Sequence, residues 1–77
     1  MTVEQRLKTV FVGMFGITEK SLYPDISPRE LSTWDSLQHI NLILAVEEEF
    51  GIAVEPEAIQ ALDTFGKFLL YVREHLT

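Results

Sequence analysis

The chain contains no cysteine. That absence removes disulfides, thiolate metal sites and a protein-borne nucleophilic thiol together, so any thiol chemistry has to arrive on an attached group. Basic residues are scarce as well: six Lys and Arg stand against twelve Asp and Glu, for a formal net charge of −6. Phosphate backbones attract surfaces rich in Lys and Arg, which sets nucleic acid aside as a partner and points to basic partners instead. Between Arg29 and Lys67 there is no Lys or Arg, yet the same stretch holds Glu30, Asp35, Glu47, Glu48, Glu49, Glu55, Glu57 and Asp63. One region of the surface should therefore carry a strong negative field. Long apolar runs are missing too, and none approaches the roughly 20 residues needed to span a bilayer. Residues 10–17, preceded by Arg6 and Lys8, have the outline of a secretory core. Against this, Glu4 sits in the would-be basic region, no A-x-A-like cleavage site follows, and cleavage would leave too little chain to fold. A soluble cytoplasmic monomer with no membrane partner is expected.

What is present suits one small core. The 77 residues are 47% apolar, enough for a single domain over 1–77 near the margin of stability. Val3, Leu7, Val10, Phe11, Met14 and Phe15 recur at helical spacing behind a Thr2/Gln5 capping box, which predicts a first helix over 3–15. Gly13 costs this helix roughly 1 kcal/mol relative to alanine, and Gly16 is suited to stop it. Over 17–34 the pattern breaks around Pro24, Asp25, Ser27 and Pro28. This predicts a long ordered loop anchored by Ile17, Leu22, Tyr23, Ile26 and Leu31. Asp35 is a carboxylate N-cap for a second helix that ends at Phe50 before Gly51. Pro56 begins a short helix over 56–62. Thr64 caps a last helix bearing Phe65, Phe68, Leu69, Val72 and Leu76 on one face. Three longer helices and one short one, with no strand alternation, make an all-α, small four-helix bundle.

The second helix carries more apolar surface than a one-sided helix needs. Leu42, Ile43, Val46 and Phe50 form a stripe for the core, while Leu37, Ile40 and Leu44 form a second stripe on another side. That second stripe is either an exposed docking surface or the sign of a helix buried on two sides, and spacing alone does not separate the two. Glu47, Glu48 and Glu49 sit in the last turn, where the carbonyl end of the dipole disfavours negative charge. No base lies three or four positions away, so the run is either a solvated face or a surface for a basic partner. Ser36 follows the Asp35 cap. It is either an inert first-turn residue or an exposed hydroxyl on which a phosphodiester would meet free backbone N–H groups and the positive dipole end.

Asp35-Ser36-Leu37, followed by a helix ending Val46-Glu47-Glu48-Glu49-Phe50-Gly51-Ile52, closely resembles the acyl carrier protein family, which includes acyl and peptidyl carriers. The stretch Thr64-Phe65-Gly66-Lys67-Phe68-Leu69-Leu70-Tyr71-Val72 is similar to that family's last helix, so the resemblance spans nearly the whole chain. It implies that Ser36, in the D-S-L motif with Asp35, is the attachment site of a covalent 4′-phosphopantetheine. The group would come from coenzyme A by a phosphopantetheinyl transferase using a divalent cation. It implies further that Leu37, Ile40 and Leu44 touch partner enzymes, with Glu47 and Glu48 in the recognition face. Those partners would be acyl- or aminoacyl-loading and processing enzymes with basic docking surfaces. The thiol of the arm would hold cargo as a thioester, and tethering would raise the cargo's effective concentration at each docked enzyme.

The chain departs from fatty-acid carriers in having Thr33-Trp34 before the motif and Gln38, His39 and Asn41 after it, where glycine and acidic residues are usual. This favours a specialised carrier, for a polyketide, nonribosomal peptide, modified lipid or aminoacyl pathway, with a fatty-acid synthesis carrier as the alternative. Trp34 is either a half-buried loop anchor or a contact for the arm or a dedicated partner. No catalytic or metal site is expected. Ser36 lies in no G-x-S-x-G elbow, His39 reads as a capping or packing residue rather than a base, and His75 suits the C-terminal end of its helix. Two histidines without a matched ligand set make no metal site, and the acidic stretches lack calcium-loop spacing. The alternative of another class is an unmodified acidic helical adaptor that binds a basic partner without using Ser36.

Overall fold

Thr2 and Gln5 exchange the two hydrogen bonds of a capping box, and helix α1 (Val3–Phe15) follows. The computed structural model describes residues 2–76. Leu7, Phe11 and Phe15, one turn apart, are buried along one side of α1, and Gly16 ends the helix at φ 64° in the left-handed region that glycine adopts without strain.

The segment 17–34 is ordered by its own apolar residues, with a single 3-10 turn at Glu19–Ser21. Leu22 and Ile26 are buried, Ile17 and Leu31 half-buried, and Tyr23 stays 46% exposed, so Tyr23 is not the anchor its place in the sequence suggests. Ser27 closes the turn before Glu30: its hydroxyl and backbone N–H both donate to the Glu30 carboxylate, and these bonds hold that carboxyl below its usual range. Trp34 is 2% exposed. The expectation of a half-buried anchor is corrected: the indole belongs to the core, edge-on to Phe11 and stacked on Phe15 at 5.4 Å between centroids.

Helix α2 (Ser36–Phe50) starts where the Asp35 carboxylate accepts the Gln38 N–H at 2.9 Å and stops at Gly51, again at φ 64°. Its Leu42, Ile43, Val46 and Phe50 are buried, as their spacing predicts. Helix α3 (Pro56–Ile59) is shorter than the expected 56–62. One helical bond persists beyond it, from the Leu62 N–H to the Ala58 carbonyl, while the Asp63 N–H turns to Ala61 and the Ile59 carbonyl lies 2.7 Å from His39 Nε2. Helix α4 (Phe65–His75), capped by Thr64, buries Phe65, Phe68 and Val72, while Leu76 lies past its end at 37% exposure. Helix α1 packs against both α2 and α4. Among the described residues there is no strand, and the chain is an all-α bundle of four helices.

The start of α4 is sewn to the long loop. The N–H groups of Phe65 and Gly66, orphaned by helix geometry, donate to the carbonyls of Ile26 and Pro24. A Cβ at Gly66 would lie 3.0 Å from the Pro24 oxygen, whereas one at Gly13 would meet nothing within 4 Å. Opposite effects are therefore expected from the same substitution, read as chemical denaturation midpoints. Gly13→Ala stabilises by about 0.5–1 kcal/mol through helix entropy, and Gly66→Ala destabilises by about 1–3 kcal/mol through overpacking.

Candidate functional site

Ser36 opens α2 with its side chain exposed, one residue past the cap. The cap is supplied entirely by Asp35, whose carboxylate takes the Gln38 N–H and whose carbonyl takes the His39 N–H. The Ser36 side chain makes no hydrogen bond, and the N–H groups of Ser36 and Leu37 have no partner, among the described residues. They point out of the positive end of the helix dipole.

Beside Ser36 lies a groove of about 600 Å³ between the start of α2 and the end of α3, lined by Pro28, Trp34, Ile40, Ile59 and the polar Asp35, His39, Gln60 and Asp63. Its inner wall is held by a relay. Trp34 Nε1–H donates to His39 Nδ1 at 3.0 Å. With Nδ1 accepting, the neutral imidazole carries its proton on Nε2, which donates to the Ile59 carbonyl at 2.7 Å. Both ring nitrogens are thus engaged, so His39 has no lone pair to offer Ser36, in line with its reading as a packing residue. At the rim, Lys67 donates to Asp63 at 2.8 Å, and this bond holds the Asp63 carboxyl below its usual range. Sequence reasoning missed the relay as a unit. The signal for it was the indole N–H, which needs an acceptor wherever it is buried, with a histidine five residues on.

The second apolar stripe of α2 is exposed: Leu37 at 71%, Ile40 at 47% and Leu44 at 56%. The three glutamates that follow divide. Glu49 accepts Arg6 Nε at 2.9 Å, while Arg6 Nη2 reaches the Glu49 carbonyl at 2.6 Å and the guanidinium lies 4.7 Å from the Phe50 ring centroid. A base from α1 thus supplies the helix-end compensation that α2 itself lacks. Glu47 accepts the Val54 N–H at 2.8 Å and so ties down the link to α3. Glu48 is exposed and has no ion-pair or hydrogen-bond partner among the described residues. Along 36–46 the helix carries no Asp, Glu, Lys or Arg.

The relay makes a measurable claim on stability. His39→Leu strands the Trp34 N–H in a buried place and is expected to lower stability by about 1–3 kcal/mol. In a denaturation cycle with Trp34→Phe, which removes the donor, the double variant should lose less than the sum of the two single losses.

Among the described residues no helix is long and apolar enough to cross a membrane. Residues 5–72 match the family described as the phosphopantetheine attachment site. The match begins within α1 and ends within α4, taking in Ser36, the groove and the exposed stripe. Family membership brings with it a covalent 4′-phosphopantetheine and dealings with the transferase that installs it and the enzymes that process what it holds. The chain belongs to the phosphopantetheine attachment-site family and is a carrier protein.

Proposed function

We propose that Ser36 bears the phosphopantetheine arm and that the chain holds acyl or aminoacyl intermediates on it as thioesters for a specialised biosynthetic pathway. The observation that carries the first part is the division of labour at the start of α2: Asp35 caps the helix, which leaves the Ser36 hydroxyl exposed and free of hydrogen bonds. The surroundings fit a phosphodiester, because unpartnered N–H groups and the positive end of a fifteen-residue helix favour an anion there. When bound, the arm supplies the thiol that the sequence lacks.

Ser36 Oγ gives up its proton and forms a bond to the pantetheine-side phosphorus of coenzyme A, while the bond from that phosphorus to the adenosine bisphosphate breaks. With both nitrogens of His39 engaged, the base for this proton and the divalent cation belong to the transferase. Leu37, Ile40 and Leu44 then meet the partner enzyme next to the reacting centre. Glu48 adds charge at the far end of that ridge, and Glu47 contributes the oxygen its bond to Val54 leaves free. The uncharged run 36–46, with Gln38 and Asn41 hydrogen-bonded to each other at 2.8 Å, favours a dedicated set of partners over those of general fatty-acid synthesis.

Incubation with coenzyme A, magnesium and a broad-specificity transferase should add a single increment of about 340 Da, the mass of one arm, and Ser36→Ala should gain none while keeping the same helical circular dichroism. Leu44→Asp should raise the KM for the carrier in this reaction by roughly tenfold, as expected when an apolar docking contact is lost. A folded chain that gains no mass with any transferase overturns the proposal in favour of an unmodified acidic adaptor.

A further inference from the structure

An apolar tail on an arm at Ser36 gains by leaving water in proportion to its length, so the room available beside Ser36 limits which tails this protein can shelter. The nearest space is the groove between the start of α2 and the end of α3, about 600 Å³ and open to solvent. Its inner wall is Trp34, 2% exposed. The indole is stacked on Phe15, at 5.4 Å between centroids, with Phe11 edge-on at 5.6 Å and His39 at its N–H edge. Its N–H is committed to His39, whose other nitrogen bonds to Ile59. A tail entering the core from Ser36 has to displace this ring, which breaks the stack, strands the N–H and frees the end of α3. Behind the indole the core is closed: Leu7, Phe11, Leu42, Val46, Phe68 and Val72 all have 0% exposure. Interiors packed to this degree do not admit a chain without rearranging. A tail that stays in the groove lies against Pro28, Ile40 and Ile59 as well as Asp35, Asp63, Gln60 and His39, and remains open to solvent.

We infer that Trp34 shuts the core to the cargo, so that acyl groups on this carrier ride outside the bundle. Trp34 is then the residue that keeps an apolar tail out of the core. The inference rests on attachment at Ser36, and the two are tested separately in one experiment.

The chain is loaded by the transferase with acetyl-, 3-hydroxypropanoyl- and octanoyl-coenzyme A, and loading is read by intact mass. Thermal midpoint and the rate of thioester cleavage by hydroxylamine are then measured on each form. All three forms are expected to share one midpoint and one cleavage rate. An octanoyl form that melts higher by about 4 °C or more, or whose thioester is cleaved several-fold more slowly, overturns the inference while leaving attachment intact. In Trp34→Ala the vacated space should shelter the tail, so that octanoyl raises the midpoint above that of acetyl. Trp34→Leu, which keeps an apolar side chain, serves if the alanine variant does not fold. A folded variant without any dependence on tail length overturns Trp34 as the residue that closes the core. Absence of a mass increment with all three thioesters overturns attachment at Ser36 instead.

Discussion

An indole taken out of water has one hydrogen to place, and in this protein that requirement organises the whole end of the bundle where α2 begins. Trp34 satisfies it with His39, and His39 in turn uses its remaining proton on the carbonyl of Ile59. Three segments, the long loop, α2 and α3, are joined through one neutral ring. The cost of leaving either bond unmade exceeds the net gain of making it, so the two bonds act less as glue than as a condition on how the segments meet.

The helices were legible because their evidence is local. Capping residues at Thr2, Asp35 and Thr64, glycines at positions 16 and 51, and apolar residues one turn apart each act within a few positions of one another. The exposure of Leu37, Ile40 and Leu44 was not legible, since a helix buried on two sides has the same spacing; only the arrangement of the other helices decides it. The depth of Trp34 was missed for a related reason. A tryptophan in a loop with prolines reads as a surface anchor until the aromatic residues of α1 and α4 are brought around it. At the candidate site, Ser36 and Asp35 stood out by motif, but the division among the glutamates did not, because Arg6 lies 43 residues from Glu49 in sequence.

That division alters how the negative charge of the chain should be understood. Acidic residues outnumber basic ones two to one, yet near the end of α2 one carboxylate holds a turn and another holds a neighbouring helix. Net charge therefore overstates the charge that face has to offer a partner. What the face presents is an apolar ridge with an isolated carboxylate at its far end.

The separation of cap from hydroxyl at the start of α2 reaches beyond this molecule's chemistry. Asp35 performs the folding task, and the side chain of Ser36 performs none that the fold can sense. Loss of that hydroxyl would be invisible to any selection acting on solubility, expression or melting temperature. A chain drifting under such pressures alone would hold on to the aspartate and shed the serine without any outward sign.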